Sequence, residues 1–125
     1  MKLVSGTGVD VKITSRMESV LALHCRSRDD DFGHSNLYTN EHFKWHFRPN
    51  ILGRTLYYCT FDYGFAFKKI DVYNQGKYGS CSIHNPPSNA CYWEVRLDGF
   101  YFNHYDEPNP HTPWKKLYDW DEHTD

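Results

Sequence analysis

Between His24 and Gly33 the chain reads His-Cys-Arg-Ser-Arg-Asp-Asp-Asp-Phe-Gly, crowding imidazole, thiol, guanidinium and three consecutive carboxylates into one short stretch. Asp29, Asp30 and Asp31 supply the hard oxygen atoms that a calcium ion requires. The alternating ligands and closing Glu of an EF-hand are missing, however, and consecutive residues on an extended chain point apart. The run therefore reads as a solvated turn whose Asp side chains accept local backbone N–H bonds, and no metal site is expected. Asp31-Phe32-Gly33 is not a kinase signature either, because no glycine-rich or catalytic loop accompanies it.

Eight histidines raise the possibility of acid–base chemistry. His42 and His46 share the outward face of a strand with Lys44 between them, which separates the imidazoles by ~13 Å, too far for one metal. His24, His34, His84, His104, His111 and His123 stand in no local ligand motif. Two of them meeting beside a lysine would make a ribonuclease-like acid–base pair, but no spacing selects such a pair. No GxSxG elbow or phosphate-cradling glycine loop occurs. Cys25, Cys59, Cys81 and Cys91 contain no CxxC pair, which argues against a zinc ribbon or a thioredoxin-like site. An even count in a small chain points to two disulfides and an oxidising compartment, and an oxidised cysteine offers no thiolate. The expectation is no catalytic residue and no cofactor.

The elements that position these groups are strands. The chain has 125 residues, 18% of them aromatic, a formal net charge of −2 and a mean hydropathy of −0.77. That suits one β-rich domain, without a broad basic field for nucleic acid or an apolar run of ~20 residues for membrane insertion. Val9, Val11 and Ile13 alternate with Asp10, Lys12 and Thr14. Leu21, Leu23 and Cys25 form a second inward set, and Phe43, Trp45 and Phe47 a third against His42, Lys44 and His46. TLYYCTF and FAFKKIDVY flank Asp62-Tyr63-Gly64. CYWEVRL puts Cys91, Trp93, Val95 and Leu97 inward and Tyr92, Glu94 and Arg96 outward. Asp98-Gly99 then signals a hairpin into FYF, and WKKLYDW holds a last short strand. Pro86, Pro87, Pro108, Pro110 and Pro113 mark long connections. About eight strands predict an all-β, antiparallel β-sandwich over residues 9–120, with a lead at 1–8 and a tail at 121–125. MKLVSGTG lacks the apolar core of a signal peptide and reads as a start methionine and short lead before a mature sequence.

Three stretches in this order resemble the plant self-incompatibility S-protein family and its homologues. HCRSRDDDFG is similar to the family's first-cysteine motif, and FRPNILGRTLYYC to its Phe-Arg-Pro-Asn segment before the second cysteine. CYWEVRLDGFYF is similar to its Cys-x-Trp-x-Val…Asp-Gly-x-Tyr region, and KLYDW to its closing strand. The resemblance spans roughly residues 9–120.

It implies a small secreted β-sandwich with two disulfides that acts as a ligand, not an enzyme. In the founding members, from poppy, the stigma secretes the protein. A pollen membrane receptor recognises it allele-specifically, and an incompatible match stops pollen tube growth through calcium signalling. The expected partner is thus a receptor ectodomain on another cell, with no nucleic acid and no membrane insertion. Of the three cysteine pairings, Cys25–Cys91 with Cys59–Cys81 is favoured, each bridge contributing roughly 3–4 kcal/mol. The expected receptor-contact loops hold Asp29, Asp30, Asp31 and His34, then Asp62 and Tyr63, then Asn74, Gln75, Lys77 and Tyr78. The alternatives are an S-protein homologue with another receptor, a secreted ribonuclease, and a metal- or carbohydrate-binding module.

Overall fold

The computed structural model describes residues 8–49, 55–74, 81, 90–106 and 109–122. Their elements are β1 (Val9–Ser15), β2 (Leu21–Arg26), β3 (Asp31–Leu37), β4 (His42–Phe47), β5 (Leu56–Tyr63), β6 (Ala66–Asn74), β7 (Ala90–Arg96), β8 (Gly99–Asn103), β9 (Lys115–Tyr118) and β10 (Asp121–Glu122). One sheet runs β4-β1-β7-β8-β9 and the other β10-β6-β5-β2-β3. Every pairing is antiparallel except β1 with β7.

The alternating apolar sets make the core. Val9, Val11 and Ile13 from β1 and Cys91, Trp93 and Val95 from β7 are buried. They face Leu21, Leu23 and Cys25 from β2 and Tyr57, Cys59 and Phe61 from β5. Aromatic rings lock the two sheets together: Phe61 meets Phe100 at 5.1 Å between centroids, Phe47 meets Tyr57 at 4.5 Å and Tyr73 at 4.8 Å. Trp93 Nε1 crosses between sheets to donate to the Val72 carbonyl at 3.2 Å. On the β3/β4 side, Phe32, Trp45 and Tyr57 close the sandwich, with Phe32–Trp45 at 5.2 Å and Trp45–Tyr57 at 5.5 Å.

The strand pattern holds with three differences. DFGHSNL does not alternate, yet it forms β3 as the edge of its sheet, where only one long side is paired and much of the strand stays exposed. Its register on β2 shifts between His24 and Arg26, and Gly33 at φ 69° takes up the extra residue of the bulge. The expected tail begins with β10, whose Asp121 and Glu122 pair with Phe67 and Ala66. In the β7–β8 hairpin the two loop residues are Leu97 and Asp98, so Leu97 points to solvent and not into the core. Gly99 opens β8, where a Cβ would lie 2.4 Å from the Tyr118 carbonyl oxygen.

The cysteine pairing is the main correction. The bridges are Cys25–Cys59 and Cys81–Cys91, not Cys25–Cys91 and Cys59–Cys81. Cys25 and Cys59 stand directly opposite each other on neighbouring strands, with Cα atoms 4.0 Å apart and both side chains inward. Cys91 lies on β7 of the other sheet, so the direct cross-strand neighbour Cys59 is the partner that the register hands to Cys25. The second bridge joins β7 to Cys81, whose carbonyl accepts from the Asn74 N–H at the end of β6 (3.1 Å).

Candidate recognition surface

The strand directions sort the connections onto two ends of the sandwich. Residues 16–20, 38–41, 64–65, 97–98 and 119–120 lie together at one end, where every turn is short. Backbone bonds from Arg16 to Val95 (2.8 Å) and from Asn40 to Ser15 (2.7 Å) tie them together. Ser19 Oγ donates to Tyr63 OH at 2.9 Å, and Trp120 Nε1 donates to the Arg96 carbonyl at 2.8 Å. The β2–β3 turn and the β8–β9 connection lie at the opposite end.

This arrangement separates the residues expected to act together. Asp29, Asp30 and Asp31 belong to the β2–β3 end, as does Asn74, whereas His34 sits mid-strand opposite His24. Asp62 and Tyr63 pair near the start of β2, four residues or ~13 Å along the strand from Arg26. Gln75, Lys77 and Tyr78 lie outside the described residues. The acidic run is committed to the turn itself. Ser27 N–H donates to the Asp30 carbonyl at 2.7 Å, Asp30 N–H to Ser27 Oγ at 3.1 Å, and Tyr57 OH to Asp30 Oδ2 at 2.9 Å. Burial, seconded by that hydrogen bond to a carboxylate, pushes the Tyr57 phenol up to about 12. Asp31 Oδ1 accepts from the Gly33 N–H at 2.8 Å and lies 2.5 Å from His24 Nε2. The His24 bond first, and the Gly33 N–H second, hold its carboxyl below the usual range. His34 stacks at 4.5 Å on His24, its cross-strand neighbour. Among the described residues no three His, Cys, Asp or Glu side chains converge as metal ligands.

The short-turn end presents different chemistry. Phe65 is 82% exposed in the two-residue turn Gly64–Phe65, Tyr38 62%, Leu97 54% and Val20 39%, and each belongs to a connection at this end. The backbone beneath them is firmly held. Thr39 Oγ1 donates to the Met17 carbonyl (2.6 Å), and Glu41 Oε1 accepts the Tyr38 N–H (2.7 Å). Glu94, read as an outward residue, is buried because Arg96 Nε (2.8 Å) and Arg16 Nε (3.3 Å) cover its carboxylate. Arg96 also lies 3.8 Å over the Tyr101 ring, whose OH donates to Asp98 at 2.5 Å. That bond raises the Tyr101 phenol and lowers the Asp98 carboxyl. The exposed apolar residues were missed from sequence, but a signal exists: Phe65 and Leu97 sit directly beside Gly64 and Asp98, and Tyr38 two residues before Asn40, where a polar residue is the norm.

A family model described as plant self-incompatibility protein S1 matches residues 10–120. The chain belongs to that family. Among its S-protein relatives is S-protein homolog 3 of Arabidopsis thaliana, 37% identical over 91 residues that cover 71% of this chain and 59% of the relative. S-protein homolog 6 of the same plant is 34% identical over 92 residues, covering 73% and 63%. The chain thus spans somewhat more than half the length of these relatives. A solved structure described as one of SPH (Self-Incompatibility Protein Homologue) proteins, small, highly stable, secreted proteins from plants, superposes with a TM-score of 0.66. It covers 91% of this chain and 95% of its own at 19% identity, which establishes the shared fold. None of these descriptions is that of an enzyme.

Proposed function

We propose that this S-protein acts outside the cell as a protein ligand, its short-turn end received by the ectodomain of a membrane receptor on another cell. The observation that carries this reading is the set of Val20, Tyr38, Phe65 and Leu97, exposed on turns that the fold holds rigidly at one end. Large apolar side chains displayed on an ordered scaffold give contact area at small entropic cost, as interface anchors do. Two disulfides suit the oxidising extracellular space. Family membership supports secretion and signalling, with pollen as the receiving cell in the self-incompatibility reading. The names of the relatives favour a homologue signalling to another receptor as the second reading.

The test applies the oxidised protein to pollen tubes of several genotypes and to vegetative cells while cytosolic calcium is followed. A calcium rise in a defined cell type, absent with reduced and alkylated protein, is expected. Arrest of pollen tubes in some genotypes only selects the self-incompatibility reading. Silence in every cell type from folded protein, or an equal response to the reduced form, overturns the ligand reading.

A further inference from the structure

Described residues on the two sides of the β8–β9 connection line a cavity of ≈ 570 Å³ open to solvent, among them His104, Tyr105, His111, Thr112, Trp114 and Lys115. Hydrogen bonds within the chain hold its rim. Buried Asn103 donates from Nδ2 to the Thr112 carbonyl (2.5 Å) and accepts the Tyr105 N–H on Oδ1 (3.0 Å). Asn109 Oδ1 accepts the His111 N–H (2.8 Å), and the Asn109 carbonyl accepts the Thr112 N–H (2.9 Å).

Three side chains lining this cavity each carry a polar group without a partner among the described residues. The chain has four tryptophans. Trp45 packs among Phe32, Phe43 and Tyr57, Trp93 is hydrogen-bonded in the core, and Trp120 lies on Phe100 while donating to the Arg96 carbonyl. Trp114 alone forms no ring pair and no indole hydrogen bond. His104 packs edge-on against Phe102 at 4.9 Å, and its Nδ1 is buried without a partner. Lys115 has no acidic partner among the described residues, whereas the smaller cavity over β1 and β4 holds two carboxylates, Asp106 paired with Lys12 and Asp10 at 2.7 Å from His46 Nδ1. Among the described residues no Asp or Glu lines the larger cavity.

We propose that this cavity binds a carboxylated saccharide, the pyranose ring lying on Trp114 and the carboxylate meeting Lys115 and the imidazoles. A half-buried indole offers the flat apolar face that a sugar ring covers, while Thr112 and His104 supply hydroxyl-directed hydrogen bonding. An ammonium without a carboxylate partner among the described residues favours an anion over a neutral sugar. The site lies at the opposite end from the proposed receptor surface, so the two proposals stand or fall separately.

The test is titration of the oxidised full chain with trigalacturonic acid, followed by tryptophan fluorescence and calorimetry. A neutral glucose trimer, inorganic phosphate and a short RNA serve as comparison ligands. Saturable binding of the acidic trimer that weakens with salt is expected, with the neutral trimer about tenfold weaker or more. Trp114→Ala should weaken it at least about tenfold, Trp114→Phe by only about threefold, and Lys115→Gln should remove most of the salt dependence. Circular dichroism and melting of each variant confirm the fold. The proposal is overturned by no binding of the trimer at millimolar concentration, by equal binding of the neutral trimer, by tighter binding of phosphate or RNA, or by a folded Trp114→Ala variant that binds unchanged.

Discussion

Replacing the two disulfides one at a time with Cys→Ala pairs should separate their contributions in a definite order. Cys25–Cys59 closes a sequence separation of 34 residues and Cys81–Cys91 one of 10. Chain-entropy scaling converts these to ~3.8 and ~2.7 kcal/mol of restraint on the unfolded chain. At ~2.1 cal/mol/K per residue of unfolding entropy, a domain of this size loses ~4 °C per kcal/mol. The Cys25→Ala/Cys59→Ala variant should therefore melt ~15 °C below the parent, and Cys81→Ala/Cys91→Ala ~10 °C below it. The closed segments do not overlap in sequence, so the losses should be roughly additive in the quadruple variant. Guanidinium unfolding followed by circular dichroism measures each directly. A larger loss on removing Cys81–Cys91, or unchanged melting of the parent in reductant, would refute the reasoning.

Other consequences follow from single side chains. Gly33→Ala puts a β-carbon where φ is 69° with open space around it, so only backbone strain is added, and a loss of ~1 kcal/mol in urea unfolding is expected. Glu94→Ala strips the carboxylate from between Arg16 and Arg96 and should cost ~1–2 kcal/mol, with Glu94→Gln recovering part, as read from the denaturation midpoint. Tyr57 is raised from its ordinary value of 10 to about 12, so the folded state holds its proton longer than the unfolded chain does. That stability is complete below pH ~10 and falls as pH rises from there toward 12, by on the order of 2–3 kcal/mol in all. Tyr57→Phe should lack this decline in stability measured from pH 9 to 11.5. Asp31 has the opposite sign: its lowered carboxyl contributes above the ordinary value of 3.8, and the contribution disappears as pH falls below it, a loss that Asp31→Asn should not show.

Much of this fold was legible because side chains alternate wherever one face of a strand is buried. β1, β2, β4 and most of β7 were readable residue by residue for that reason. β3 was not, because an edge strand with a bulge buries little and leaves no period-two trace. The disulfides were illegible because pairing depends on which strands are neighbours. Nothing local in the sequence says that β2 lies beside β5 after the chain has visited the other sheet through β4. Glu94 defeated the pattern because two arginines cover it on an outer face, and Leu97 because the turn begins one residue earlier than Asp98-Gly99 suggests. Of the acidic run read as a turn, Asp29 and Asp30 lie in the turn, while Asp31 opens β3. The run's use as a contact site competes with the hydrogen bonds it gives the scaffold, and the exposed aromatics of the opposite end are the stronger candidates.

The central claim rests on that end, and one measurement reaches it most directly: saturation binding of labelled protein to intact plant cells, comparing the parent with Phe65→Ser and Tyr38→Ser. Both side chains are largely solvent-exposed, so stability should change by less than about 0.5 kcal/mol. The account predicts saturable binding that each substitution weakens about 10- to 100-fold, the range of an interface anchor. Equal binding by the parent and both folded variants would contradict it.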